Sequence, residues 1–210
     1  MHKLGRLFLG IVCSSFYLLE CELHNLETVK KTIIHHYENG GFQQELHQVV
    51  ASVRDRFPDR ASHDKQVVIF DVDEVALSMY HLFKENDFGM PGEYYFNCLR
   101  TKTFAALLPI KELYEHFKDL GYTIIFLTSR KHEFYEKTRE NLIEVGYSHF
   151  DRLITRSQEE SSMPSSLFKE QARLKLTQEG YEIVCCVDDL EANLQGAHVG
   201  YPVKIPNYLY

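Results

Sequence analysis

Apolar residues recur at helical spacing at Val29, Ile33, Ile34 and Tyr37, and again at Leu46, Val49, Val50 and Val53. This predicts helix over residues 25–57, broken at Gly40-Gly41 and ended by Pro58. The period then changes. Gln66-Val67-Val68-Ile69-Phe70 is a short, apolar, β-branched run of the kind buried in a parallel sheet. Helical spacing returns at Leu113, Tyr114, Phe117 and Leu120, with Gly121 as the stop. A second buried strand is predicted at 123–127, a helix at 134–145 closed by Gly146, and a third strand within 150–155. A helix at 167–178 closed by Gly180 and a fourth strand at 182–187 follow, with a fifth at 203–205.

Strands alternating with helices predict an α/β fold, a Rossmann-like parallel sheet with helices on both faces. In such sheets chemistry collects beyond the carboxyl ends of the strands. The residues following each strand are therefore the informative ones. Asp71, Asp73 and Glu74 follow the first, Thr128, Ser129 and Arg130 the second, and Asp188 and Asp189 the fourth. Residues 76–109 separate the first strand from the next helix, too long a stretch for an ordinary connection. They hold Tyr80, Phe83, Phe88, Tyr94, Tyr95 and Phe96 and a turn at residues 89–92. They read as a small helical cap over the sheet end.

The first 24 residues differ from the rest. Lys3 and Arg6 precede an apolar run at 7–19, the pattern of a secretory signal. The run is shorter than the roughly 20 residues a spanning helix needs, and no small-x-small cleavage site follows it, so an uncleaved anchor stays open. Three segments are expected: a signal or anchor at 1–24, N-terminal helices at 25–64, and the α/β domain at 65–210 with its cap at about 76–109. Export to the periplasm, envelope or exterior is expected if the leader acts as a signal, and a cytoplasmic location otherwise. Membrane contact is expected only through that leader.

Composition adds limits. Among 210 residues, 30 are acidic and 23 basic, a net charge of -7. Such a chain lacks the basic footprint of a nucleic-acid binder. The five cysteines have neither zinc-site nor disulfide-framework spacing, and Cys185-Cys186 lies inside an apolar strand.

Each strand-end group has an ordinary reading when taken alone: a solvated strand end, a helix cap, an acidic turn, a solvated lysine. Together they suggest a chemistry. Two carboxylates as close as Asp71 and Asp73 need a shared proton or a cation between them. One could then be a nucleophile and the other an acid and base. The Thr128 hydroxyl and turn N–H groups suit phosphate oxygens. Arg130 reads equally as a phosphate contact or a structural ion pair. Asp188 and Asp189 are hard oxygen donors of the kind Mg²⁺ accepts. Lys169, on the helix before the fourth strand, could neutralise nucleophile and phosphate.

The run Val68-Ile69-Phe70-Asp71-Val72-Asp73-Glu74-Val75, followed in order by Thr128, Lys169 and Asp188-Asp189, resembles the haloacid dehalogenase superfamily of phosphatases. It is most similar to the acid phosphatase branch that includes plant vegetative storage proteins and bacterial class C acid phosphatases. The matching pieces include residues 70–78, residues 126–130, Thr138 with Asn141-Leu142, Gly146-Tyr147, Lys169 with Arg173, and the tail Ile205-Pro206-Asn207-Tyr208. Two departures stand out: Val75 where the branch has Thr, and adjacent Asp188-Asp189 where it has Gly-Asp and a second Asp about four residues on.

The resemblance implies an acid phosphatase in which Asp71 attacks phosphorus and Asp73 is the general acid and base. Thr128, Ser129, Lys169 and Arg130 would contact substrate, and Mg²⁺ would be held by Asp71, Asp73, Asp188 and Asp189. Of the last two, Asp188 is the expected direct ligand. Small phosphomonoesters are the implied substrates, nucleotides or aryl phosphates among them, with cap aromatics available to stack on a ring. A specific nucleotidase or a phosphotransferase would use the same groups. A storage or binding protein on the same scaffold is the alternative from another class, since some storage relatives have lost the nucleophile.

Overall fold

The computed structural model describes residues 25–210. The leader at 1–24, with its predicted targeting role, lies outside the described residues. Among the described residues no helix is long and apolar enough to cross a membrane.

Two helices come first, α1 (Leu26–Glu38) and α2 (Gly41–Arg56). Gly40 separates them at a φ of 84°, a conformation that glycine adopts without a Cβ clash. Strand β1 (Gln66–Phe70) leads into a cap of two short helices, α3 (Tyr80–Glu85) and α4 (Gly92–Thr101). Then come α5 (Leu108–Asp119), β2 (Thr123–Lys131), α6 (Tyr135–Glu144), β3 (Arg152–Arg156), α7 (Ser165–Gln178), β4 (Glu182–Asp188) and β5 (Tyr201–Lys204). All strand pairs are parallel, in the order β3-β2-β1-β4-β5.

This order explains where the helices lie. The chain winds from β1 out to β3, then returns to β4 on the other side of β1. Right-handed crossovers put helices from the two directions on opposite faces. Side chains alternate accordingly. Val68, Phe70, Ile124 and Phe126 point into a large core with Leu46, Val50, Leu113 and Phe117 of α2 and α5. Val67, Ile69, Ile125 and Leu127 point into a smaller core with Phe168, Ala172 and Leu176 of α7. Gly200, at a φ of 65°, lets the chain pass close over β4, where a Cβ would lie 2.5 Å from the Ile183 carbonyl oxygen.

The direction reverses between β1 and β4. A reversal point leaves a crevice beyond the carboxyl ends of the two strands, because their following loops run apart. Asp71 and Asp188-Asp189 sit at those two ends, held in register by the Asp71 N–H donating to the Val187 carbonyl at 2.9 Å.

One expectation about the sheet needs correction. The sequence pattern ends the second strand at Leu127 and puts Thr128, Ser129 and Arg130 in a following loop. The strand in fact continues to Lys131. Its pairing with β3 is regular to Leu127↔Ile154 and resumes at Lys131↔Arg156 across an irregularity. The polar residues carry no apolar alternation to mark them as strand, yet backbone pairing beyond them keeps the chain extended. Such irregularities re-aim side chains at strand ends.

Candidate active site

The turn after β1 brings Asp71 and Asp73 to one place. The Leu77 N–H donates to the Val72 carbonyl at 2.8 Å, and the Glu74 N–H to the Leu77 carbonyl at 2.9 Å. Glu74 takes a φ of 53°, sparsely used by residues other than glycine. Val72, Val75, Ala76 and Leu77 are fully buried and fix the turn against the main core. Glu74 is buried with them. One of its carboxyl oxygens accepts the Met79 N–H, and Oε2 has no hydrogen-bond partner among the described residues. Burial pushes its pKa up to about 8, helped by Asp189 and Asp73 and opposed by the Met79 N–H.

Lys169 is the centre of the charged floor. It enters from the first turns of α7, and its side chain is 3% exposed. Its Nζ lies 3.0 Å from Asp71 Oδ2 and 2.5 Å from Asp188 Oδ2. Burial works against the ammonium, but Asp71 and Asp188 outweigh it and hold the pKa above the ordinary lysine value. Burial raises the Asp71 carboxyl well above the usual range, opposed by Lys169 and reinforced by the carboxylates of Asp188, Asp189 and Asp73.

Asp188 is fixed on its other oxygen too. Oδ1 accepts the Leu190 N–H and the Asn193 side-chain amide, both at 2.9 Å. Asp189 Oδ2 accepts the Asn207 amide at 2.5 Å, while Oδ1 is buried with no hydrogen-bond partner among the described residues. Burial and Asp188 raise the Asp189 pKa. Asn207 belongs to the C-terminal tail, which starts beyond β5 where the Ile205 N–H donates to the Asp188 carbonyl.

Asp73 faces the opposite wall. Arg130 Nε lies 3.2 and 3.1 Å from its two carboxylate oxygens, and Nη2 lies 2.6 Å from Oδ1. Of the two readings the sequence left open for Arg130, the ion pair is the contact this structure contains. Thr128 is fully buried, and its hydroxyl accepts the Arg130 N–H at 3.2 Å. Ser129 Oγ lies 2.6 Å from Ser165 Oγ.

A cleft of about 620 Å³ opens over these groups. Asp71, Asp73, Ser129, Ser165, Lys169 and Asp189 form its polar floor. Met79, Phe83, Phe88, Met90 and Tyr95 from the cap roof it, joined by Leu209 and Tyr210 of the tail.

The floor fits a divalent cation. One carboxylate oxygen each from Asp71, Asp188 and Asp189 lie within 4.8 Å of one another. The donors are all hard oxygens, with neither His nor Cys among them, the set that Mg²⁺ accepts. The partnerless Oδ1 of Asp189 supplies an orphaned acceptor beside that triangle. Among the described residues, Asp71, Asp73, Asp188 and Asp189 contact two cations, Lys169 and Arg130, which leaves negative charge for an ion to offset.

Sequence reasoning gave no role to Asn193, Asn207, Ser165 or Tyr210. Thr138 and Asn207 appear in the motifs that carry the resemblance, which is the signal that could have singled them out. Ser165 lies four residues before Lys169, so helical spacing puts both on one face.

A parallel sheet with a carboxylate cluster at its point of reversal defines a class of α/β site able to hold a cation rather than one protein. Comparison with known proteins narrows it. The haloacid dehalogenase (HAD) superfamily, subfamily IIIB (acid phosphatase), matches residues 2–210, and the chain belongs to this family. It is 30% identical over 158 residues to the stem 28 kDa glycoprotein of Glycine max, a match covering 72% of this chain and 62% of that protein. It is 28% identical to acid phosphatase 1 of Solanum lycopersicum, covering 72% and 61%. It is 30% identical to vegetative storage protein 1 of Arabidopsis thaliana, covering 69% and 54%. The matches thus span less than two thirds of these three relatives. Among solved structures, the class C acid phosphatase of Bacillus anthracis shares the fold at a TM-score of 0.69 and 15% identity, covering 88% of this chain and 86% of that one.

Proposed function

We propose that this chain is a Mg²⁺-dependent acid phosphatase that hydrolyses small phosphomonoesters through an aspartyl-phosphate on Asp71. The observation that carries this reading is the Asp71–Lys169–Asp188 arrangement under an open cleft, with Asp73 on the facing wall. Family membership and the acid phosphatases among its relatives support it.

In the first half-reaction an Asp71 oxygen bonds to phosphorus and the phosphorus–ester-oxygen bond breaks. Asp73 gives its proton to the departing oxygen, which leaves as the alcohol. In the second half a water oxygen bonds to phosphorus, Asp73 takes the water proton, and the bond from phosphorus to Asp71 breaks. Phosphate is released and both carboxyl groups return to their starting states. Lys169 holds Asp71 in place and meets the charge of the incoming phosphoryl oxygens. The Thr128 and Ser129 region supplies further donors. Asp71, Asp188, Asp189 and the Asp73 backbone carbonyl would hold Mg²⁺, whose chemistry there is to offset the repulsion between carboxylate and phosphate. Phosphoryl transfer asks mainly for positioning and charge, which is what this floor offers.

The roof fits small, partly apolar leaving groups, and its aromatics offer faces for an aryl group or a nucleobase. Export through the leader is part of the same reading and agrees with the glycoproteins among the relatives. The storage alternative is kept alive by the vegetative storage proteins among them. A chromogenic aryl phosphate assay, with Mg²⁺ and with excess chelator, separates the two. Turnover that needs the metal is expected. No turnover under either condition would leave storage or binding as the function, and turnover indifferent to chelation would remove the metal role.

A further inference from the structure

We infer that Arg130 is a positioning residue that aims the Asp73 carboxyl at the leaving group and makes no contact with the phosphate. This rests on the proposed roles of Asp71 and Asp73 and adds a residue that acts only through one of them.

The guanidinium is held on every side. Its side chain is 1% exposed. Nε and Nη2 both face Asp73, engaging both carboxylate oxygens. Nη1 donates to Thr138 Oγ1 at 3.0 Å, and Thr138 is itself fully buried on α6. The group also lies over the Phe104 ring, 5.6 Å from its centroid. Each guanidinium nitrogen thus has a partner in Asp73 or on α6, and Arg130 does not line the cleft.

Asp73 is arranged the other way. It lines the cleft and its side chain is 17% exposed, so one side meets Arg130 and the other meets substrate. An unrestrained aspartate at a cleft wall would sample several rotamers, few of them aimed at the ester oxygen. The planar fork of an arginine removes that freedom, which a single ammonium cannot do as well. Misplacing a reacting group by about 1 Å can cost on the order of 100-fold in rate. Arginine is also permanently charged, so it holds the carboxyl without competing as a proton donor.

The test is kcat/KM across aryl and alkyl phosphates of graded leaving-group pKa, beside inhibition by inorganic phosphate. A poor leaving group depends on the acid and a good one does not. Arg130→Met is expected to steepen the leaving-group dependence toward that of Asp73→Asn, with a loss of about 100-fold on alkyl phosphates. The phosphate inhibition constant is expected to stay within about twofold, as for a residue with no phosphate contact. Arg130→Lys should recover part of the loss, and Asp73→Asn/Arg130→Met should be no worse than Asp73→Asn. Phosphate inhibition weakened about tenfold with an unchanged slope would make Arg130 a phosphate ligand and overturn the inference. So would an equal loss on all leaving groups. If Arg130→Met fails to fold, Thr138→Val decides, since it frees one side of the guanidinium and leaves the Asp73 contact. A steeper slope supports the inference, and an unchanged slope in folded Thr138→Val overturns it. A flat profile for Asp73→Asn in an active enzyme would instead sink the proposed role of Asp73, and an inactive wild type would sink the phosphatase reading.

Discussion

On the strand side of the cleft, Asp71, Lys169 and Asp188 are buried and paired with one another, and Asp73 is paired with Arg130. On the cap side, the lining is almost wholly apolar and comes from two short helices, the segments beside them and a tail. The floor hangs on β1, β4 and α7, and backbone hydrogen bonds tie the strand ends together. The roof hangs on α3, of 6 residues, and α4, of 10. Helices that short take their stability from packing rather than from themselves. The two sides therefore answer different demands. Charge placed to a fraction of an ångström belongs on the sheet, where it cannot drift. Apolar contact, which under the proposed function would be with a variable leaving group, tolerates a less rigid support.

The largest expected effect breaks the floor at its proposed nucleophile. Asp71→Asn keeps the shape and leaves an oxygen that can accept from Lys169, but it is a far poorer nucleophile. Turnover of an aryl phosphate should fall by on the order of 10⁴-fold or more. The melting temperature should hold within a few degrees, because the substitution removes a carboxylate whose burial already opposes its ionisation. Retained activity would show that Asp71 is not the attacking group.

Next comes the cation that keeps the floor together. Lys169→Met leaves Asp71 and Asp188 buried without the ammonium between them. Breaking such a pair from one side typically costs about 3–5 kcal/mol, and losing an aimed charge costs roughly 100- to 1,000-fold in rate. Adding Asp71→Asn to Lys169→Met should restore part of the stability, measured by thermal unfolding, and none of the activity. An equal or lower melting temperature in the double variant would mean that Lys169 stabilises through packing instead.

Glu74 sharpens the comparison because it is an acid held neutral by burial, with one oxygen unpartnered among the described residues. Its folded pKa is about 8 against an ordinary 4.5. Below about pH 4.5 the carboxyl is protonated in both states and costs nothing. Between there and pH 8 the unfolded chain releases the proton while the folded chain keeps it, so stability declines. Above pH 8 the full penalty, on the order of a few kcal/mol, is in place. Glu74→Gln mimics the neutral acid. Its melting temperature, compared with wild type in metal-free protein, should match at pH 4.5 and exceed it increasingly up to about pH 8. A difference independent of pH would remove this account.

How much of this was legible beforehand also divides along the cleft. The floor's ingredients could be read because buried parallel strands are apolar runs, and whatever polar group follows one is at the sheet's chemical end. Asp71, Asp188 and Asp189 fall there, and Lys169 was reachable by resemblance. Arg130's contact was not legible, because Asp73 and Thr138 meet it only through space, 57 and 8 positions away. The extension of β2 through Ser129 to Lys131 was hidden because backbone pairing, not apolar alternation, keeps it a strand. The roof was legible as a place, from length and aromatic content. Its helix limits were not, since α3 and α4 are too short for a periodic signal. The tail was marked by resemblance, but its contact was hidden, because Asn207 reaches Asp189 through space from beyond the last strand.

The smallest effect tests the roof. Met90 lines the cleft and is only partly buried, so trimming it disturbs the core little. Met90→Ala removes apolar contact above the place where a leaving group would sit and touches none of the charged floor. The loss for an aryl phosphate should be about three- to tenfold in kcat/KM, the scale of one modest apolar or sulfur–aromatic contact. A short alkyl phosphate does not reach the roof and should change less than about twofold on the same argument. Equal losses on both substrates would mean that the cap positions the floor, and the division drawn between the two sides would fail. A loss confined to the aryl substrate would locate the leaving group under the cap and leave the catalytic charges to the sheet, since only a contact made by the leaving group can distinguish the two esters.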